Sequence, residues 1–228
     1  MASMRFKRTG RYDVSGLVEA QFEPGSHGRV LRNVLGITRQ SEMDTLEAQL
    51  LEEATDALVR THDRHHRFTA ADLCQMHRVW LGRVYVWAGH YRSVNLSKGE
   101  FPFAPAERIP NLMRQFEQKL LGRYTPCRFR TQARVVKALA VVHVELVLIH
   151  PFRDGNGRVA RILATLMALQ AGLPLLDFSS VQGRTRQAYF SAVKAGLDEN
   201  YRPMEQIFSE IVRKTRAIGR TSKPSTSR

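Results

Sequence analysis

TQARVVKALAVVHVELVLIHPFRDGNGRVARILATLMALQ, residues 131–170, holds two apolar segments around a short polar turn. The first is apolar on most sides from Val135 to Ile149 and is broken by Lys137, His143 and Glu145. That is too long for a strand and too charged for a membrane span, so it predicts a buried helix from about Thr131 to Ile149. His150-Pro151 ends it, because proline lacks an N–H and disfavours helical geometry in the residue before it. The second apolar segment predicts a helix to Gln170, stopped by Gly172 and Pro174. These two helices would form the core.

Working outward, the remaining periodicities are also helical. Met43, Leu46, Leu50, Ala54 and Leu58 recur at helical spacing after Ser41, which is read as an N-cap with Asp44 three residues on. Thr69 and Asp72 make a second capping box, ahead of a stripe of Leu73, Met76, His77, Trp80, Leu81 and Val84 that is expected to end near Ala88-Gly89. Further helices are expected over Ile109–Leu121, Gln187–Leu197 and Pro203–Thr215. Only YRSVNLSKGEFPF, turning at Ser97-Lys98-Gly99, reads as a short hairpin. The fold class is therefore all-α, a helical bundle with one β-hairpin, and no internal repeat interrupts it.

The 228-residue length allows one domain with short arms. Two cysteines, Cys74 and Cys127, cannot form a disulfide framework and lack metal spacing. The N-terminus MASMRFKRTGRYDV has no apolar stretch to act as a signal peptide, which makes cytoplasmic residence the expectation, with delivery into another cell as an alternative. The net charge of +14 points first towards nucleic acid. Ten of those charges, however, lie in two acid-free stretches, residues 1–12 and 211–228, leaving +4 for residues 13–210. With no helix-turn-helix, zinc-finger or RNP signature, the arms are expected to be solvated or to contact polyanions weakly. The expected organisation is an N-terminal arm and helical extension (1–68), a core domain (69–212) and a basic disordered tail (213–228).

The turn at 150–161 concentrates reactive chemistry. Gly155, Asn156 and Gly157 can adopt nest conformations, so that backbone N–H groups converge on an anion where a helix begins and its dipole assists. Arg158 and Arg161 are three apart at the start of that helix, so both guanidinium groups can reach one anion. Asp154 offers oxygen to Mg²⁺, the usual companion of a nucleotide polyphosphate. His150 is a candidate general base near neutral pH. His143 and His77 read as core histidines, and His62, His65 and His66 as a solvated loop.

Residues 150–161 match the pattern HxFx(D/E)GNGRxxR, and on it the chain resembles the Fic family. WAGHYRSVNLSKGEFPFA resembles that family's flap, and the helix pattern from about Thr69 to Phe208 its core. The resemblance implies an all-α Fic fold and transfer of AMP from ATP to a Ser, Thr or Tyr hydroxyl of a target protein. It casts His150 as the catalytic base, Asp154 as the Mg²⁺ ligand, and Gly155, Asn156, Gly157, Arg158 and Arg161 as holders of the nucleotide phosphates. Flap residues Arg92, Ser93, Val94, Asn95, Leu96, Ser97 and Lys98 would bind the target by adding its chain as a strand. Tyr189 resembles the aromatic that lines the nucleoside pocket, with a packing role as the alternative.

Rival functions are Doc-like phosphorylation, phosphocholine transfer, and a non-catalytic nucleotide- or nucleic-acid-binding module. Gly157 and Arg158 favour AMP transfer over the first. Many family members are restrained by a glutamate in an (S/T)xxxE(G/N) helix that pairs with the second motif arginine, here Arg161. Glu42, after Thr38, is the nearest match and so the candidate inhibitory residue, but Met43 stands where Gly or Asn belongs. A small antitoxin-like partner, or no restraint, is therefore the expectation.

Overall fold

The computed structural model describes residues 16–181 and 185–221. In chain order the main elements are α1 (Gln40–Thr61), α2 (Ala70–Leu81), the hairpin β1 (Ser97–Lys98) and β2 (Phe101–Pro102), and α3 (Ile109–Phe116). Then come α4 (Gln132–Ile149), α5 (Asn156–Gln170), α6 (Thr185–Ala195) and α7 (Arg202–Thr221). The hairpin pairs Ser97 with Pro102 and Lys98 with Phe101, antiparallel. An all-α protein with one small hairpin is what the periodicities led us to expect. Contacts divide the described residues into two compact units, one of residues 16–61, 69–115 and 149–159, the other of residues 62–68, 116–148, 160–181 and 185–221.

In the first unit, α1 buries Met43, Glu47, Leu50, Ala54 and Leu58, spaced to face one side. α2 buries Leu73, Met76, His77, Trp80 and Leu81 and begins with the expected capping box: Thr69 Oγ1 accepts from the Asp72 N–H, and the Asp72 carboxylate accepts from the Thr69 N–H at 2.8 Å. The indole Nε1 of Trp80 donates to the Glu47 carbonyl at 2.9 Å, which ties α2 to α1. Ahead of α1, the Asn33 side chain accepts from Leu35 and Ile37 N–H groups and donates to the Leu31 and Ile37 carbonyls, organising a loop that has no regular structure of its own.

In the second unit, α4 is buried almost all round, as its largely apolar sequence requires. Gly196, in the turn after α6, lies so close to it that a Cβ would stand 2.2 Å from Val144 Cγ1. The Tyr201 hydroxyl donates to the Glu145 carboxylate at 2.7 Å, which accounts for the charge inside α4. From α7, Met204, Phe208, Ile211 and Val212 enter the core.

Four boundaries differ from expectation. α1 starts at Gln40, so Ser41 lies inside the helix and Asp44 receives the Gln40 side chain at 2.7 Å instead of capping. α2 ends at Leu81 because Gly82 follows; hydrogen-bonded turns from Val84 and Tyr85 to the Leu81 carbonyl carry the apolar pattern on to a left-handed Gly89. The helix expected to Leu121 changes at Glu117–Leu121 to wider π turns. The basic tail expected from residue 213 is helical through Thr221, since Phe208, Ile211, Val212 and Thr215 continue a buried stripe and Glu210 pairs with Arg213 at 2.7 Å. The two contact units do not follow the expected line at 68/69: α1 shares a unit with the 149–159 turn. Arg5, Lys7, Arg8, Arg11, Lys223 and Arg228 lie outside the described residues. Among the described residues no helix is long and apolar enough to cross a membrane.

Candidate active site

The turn after α4 is held open by backbone geometry. His150 takes a left-handed φ of +53°, a conformation that costs a non-glycine residue about 1–3 kcal/mol and persists only when its surroundings fix it. Arg92 does the fixing. Its Nε donates to the His150 carbonyl at 2.7 Å, its Nη groups to the carbonyls of Val94 and Ala104 at 2.6 Å each, and its own N–H to the Pro151 carbonyl at 2.8 Å. The imidazole of His150 stacks on Phe103, with ring centres 3.6 Å apart.

Asn156 closes the turn from the other side. Its amide oxygen accepts from the Phe152 N–H and its amide nitrogen donates to the Phe152 carbonyl, both at 2.8 Å. The Phe152 ring is fully buried and stacks on His77 at 4.1 Å. His77 Nδ1 accepts from the Gly89 N–H at 2.8 Å, so Nε2 carries the proton and donates to the Asp154 carbonyl at 3.1 Å. Burial lowers the His77 pKa to about 4, which keeps the ring neutral in this role. Gly155 has φ +78°, and a Cβ there would stand 2.5 Å from Trp80 Cζ3.

The anion nest expected from Gly155, Asn156 and Gly157 is narrower than the sequence implied. The Gly155 N–H is taken by the Asp154 carboxylate at 2.6 Å, and the Arg158 N–H by the Gly155 carbonyl at 2.9 Å. The N–H groups of Asn156 and Gly157, the first two of α5, precede the first intrahelical bond and carry the positive end of the dipole. A Cβ on Gly157 would meet nothing within 4 Å, so the surface of α5 is open at this position, whereas Asn156 is buried.

Arg158 stands beside this space. Its Nη1 donates to Glu47 Oε2 at 2.6 Å, its guanidinium lies over the Trp80 ring at 4.4 Å, and its Nη2 is 3.8 Å from Asp154 Oδ1. The other oxygen of Glu47 accepts from the Tyr85 hydroxyl at 2.8 Å. Burial raises the Glu47 pKa, with Arg158 opposing the rise. Arg153, given no role by the sequence, is buried and donates to the Glu19 carbonyl at 2.6 Å, while the Glu19 carboxylate accepts from the Ser93 N–H at 2.8 Å and from its hydroxyl.

The first unit thus brings together His150, Asp154, Gly155, Asn156, Gly157 and Arg158. Arg161 lies in the second unit, where its guanidinium faces the rings of Phe178 at 5.5 Å and Tyr189 at 6.0 Å. Tyr189 is buried, and its hydroxyl donates to His143 Nε2 at 2.8 Å, because His143 Nδ1 must give its proton to the Ala160 carbonyl. Burial lowers the His143 pKa to about 3. Tyr189 therefore has a packing partner for both its ring and its hydroxyl.

The flap residues divide by contact. Arg92, Val94 and Leu96 are buried, Ser93 is bonded to Glu19, and Asn95 Oδ1 accepts from the Ala106 N–H at 2.8 Å. Ser97 and Lys98, half-exposed on β1, are the two of the set that lie on a strand. Glu42 is exposed in the first turn of α1; the α1 carboxylate that reaches a motif arginine is Glu47, and the arginine is Arg158. Sequence reading missed Glu19, Glu47, Arg92 as a brace and His77 as a prop. Of these, Glu47 left a signal, being an acid at a buried-stripe spacing after Met43.

A profile of the Fic/DOC family matches residues 67–168, from the end of the 62–68 loop nearly to the end of α5. The chain is 30% identical over 194 residues to the "Probable protein adenylyltransferase Fic" of Escherichia coli, covering 80% of this chain and 88% of that one. It is 30% identical over 155 residues to a "Probable protein adenylyltransferase" of Sinorhizobium fredii, covering 67% of this chain and 76% of that one. The protein adenylyltransferases of Caenorhabditis briggsae and Drosophila willistoni are matched over 26% and 28% of their lengths. Among solved structures, the N-terminal Fic domain of a Bartonella effector from strain AR 15-3 superposes with a TM-score of 0.71 at 21% identity, covering 91% of this chain and 97% of that one. A helical bundle with a hairpin flap and the HxFx(D/E)GNGRxxR turn define a Fic fold, and this chain belongs to the Fic/DOC family.

Proposed function

We infer that the protein is a protein adenylyltransferase, which moves AMP from ATP to a Ser, Thr or Tyr hydroxyl of a target protein and releases pyrophosphate. The observation that carries this reading is a single turn that gathers His150, Asp154 and Arg158 at the N-terminus of α5, with nothing within 4 Å of a Cβ placed on Gly157. Two relatives named probable protein adenylyltransferases, matched over 76% and 88% of their lengths, support it.

His150 takes the proton from the attacking hydroxyl, at a position Arg92 and Phe103 hold in place. The Asn156 and Gly157 N–H groups and Arg158 bind phosphate oxygens and stabilise the charge that grows as the bond to pyrophosphate breaks. Arg161, one helical turn beyond Arg158, is assigned to the terminal phosphate. Asp154 fits Mg²⁺: its carboxylate is 40% exposed, and one carboxylate together with substrate phosphates is a usual donor set for this ion. Magnesium would neutralise phosphate charge there.

Ser97 and Lys98 on β1 are the proposed place where the target's backbone adds to the hairpin. For regulation the reading is a small antitoxin-like partner acting at Arg161, or no restraint, since Glu42 faces solvent. Cytoplasmic residence and weak polyanion contact through the basic arms complete the reading. ATP labelled at the α or the γ position tests it: retention of the α label alone on protein is expected, and retention of the γ label alone would replace AMP transfer with phosphorylation.

A further inference from the structure

We propose that Glu47 is a positioning residue for Arg158, gripping one edge of its guanidinium so that the opposite edge faces the phosphate site. The inference rests on the ATP-binding part of the proposed function and concerns how this chain prepares that site.

The grip has four parts, all within the first unit. Glu47 Oε2 takes Arg158 Nη1 at 2.6 Å, and Oε1 takes the Tyr85 hydroxyl at 2.8 Å. The Glu47 carbonyl takes Trp80 Nε1 at 2.9 Å, and the Trp80 ring lies 4.4 Å beneath the Arg158 guanidinium. Both the plane and the rotation of the guanidinium are therefore set by buried groups of α1, α2 and the turn after it. The bridge runs through Nη1, while Nη2 is turned towards Asp154, 3.8 Å away, on the side where α5 begins.

The alternative is restraint, in which an acid occupies an arginine that the nucleotide needs. A restraining carboxylate must leave when nucleotide arrives. Glu47 is 4% exposed, lies in the middle of a 22-residue helix, and shares its second oxygen with Tyr85. Moving it would strand a buried hydroxyl and a buried carboxylate without partners, the costly outcome for both groups. The Arg158 side chain, by contrast, is 33% exposed, so its outer edge reaches solvent while its inner edge is anchored. A flexible arginine fixed in this way loses little further freedom when it binds phosphate.

Calorimetric binding of the β,γ-imido analogue of ATP with Mg²⁺ tests this on the full chain and on Glu47→Gln, Arg158→Ala and the double variant. Glu47→Gln should weaken binding about five- to tenfold, the scale of one long side chain that must now be immobilised by the ligand. It should add no further loss in the Arg158→Ala background. Tighter or unchanged binding by Glu47→Gln would overturn the proposal, as would an equal loss with and without Arg158, the sign of mere structural damage. Should Glu47→Gln fail to fold, Tyr85→Phe carries the same cycle, since it frees Oε1 and leaves the ion pair; a smaller loss that vanishes without Arg158 is expected, and none overturns the proposal. Wild-type protein that binds the analogue but retains no α label would refute AMP transfer while leaving the positioning result standing. Wild type that does not bind it would overturn both.

Discussion

Gly155 and Gly157 are two residues apart in the motif, yet alanine at each should fail in opposite ways. At Gly155, alanine must adopt φ +78° and place its methyl 2.5 Å from Trp80 Cζ3 and 3.0 Å from Cη2. The left-handed backbone costs roughly 1–2 kcal/mol. Trp80 is fully buried and bonded to Glu47, so it cannot swing aside, and overpacking of this kind adds about 1–3 kcal/mol. Gly155→Ala should therefore lower the unfolding free energy by roughly 2–5 kcal/mol, or the melting midpoint by roughly 4–20 °C for a chain of this size. Gly157 lies in α5, and a Cβ there meets nothing within 4 Å. Alanine should leave stability equal or up to ~1 kcal/mol higher, since glycine is the poorer helix former. Its methyl would instead stand in the open space beside the proposed phosphate site and reduce label transfer by at least ~10-fold, less than the ~10²–10³-fold scale of a donor lost outright. Denaturant unfolding and α-label transfer, measured on both variants, separate the effects. A Gly155→Ala protein as stable as the parent, or a fully active Gly157→Ala, would refute the packing and the phosphate-site arguments respectively.

Arg92→Lys should behave almost as badly as Arg92→Met, because one ammonium cannot serve three carbonyls that lie on the fork of a guanidinium; both should lose at least ~10-fold in transfer, and rescue by lysine would show that charge alone matters. Acid should destabilise the fold through its neutral histidines. His77 and His143 are held at about 4 and about 3, below the ordinary 6.5, so the unfolded chain binds more protons as pH falls through this window. Their contribution is complete above about pH 6.5 and is lost on descending to 4 and then 3, at up to about 1.4 kcal/mol per pH unit for each ring. Urea unfolding from pH 7 to 4 checks this, and a His77→Gln slope equal to that of the parent would contradict it.

The core helices and the reactive turn were legible because their signals are local. Apolar runs, proline after His150 and two glycines around Asn156 all act within a few residues of where they are written. The supports of the turn were not, because they come from far along the chain. Glu47 meets Arg158 across 111 residues and Glu19 meets Arg153 across 134, and no spacing rule links such pairs. Leu46 was placed in the α1 stripe where Glu47 belongs: the structure buries Glu47 and leaves Leu46 half-exposed, since an acid with a hydrogen-bond partner for each oxygen can occupy a core position. Arg92 looked like a target contact because a charged residue in a flap is ordinarily exposed. Three backbone carbonyls converging on it explain its burial, and that convergence is visible only after folding. The apparent end of the chain's order at residue 213 failed for a related reason, as composition reports charge but not the stripe beneath it.

The proposed mechanism turns on His150 as the base for transfer of AMP. Purified protein and its His150→Ala variant, each incubated with α-labelled ATP, Mg²⁺ and a cell extract as the source of target, test it most directly when analogue binding is measured in parallel. Wild type should leave the α label on protein, and His150→Ala should lower this by at least ~10²-fold while binding the ATP analogue as the parent does. Equal labelling by the variant, or label retained from the γ position instead of the α, would contradict it.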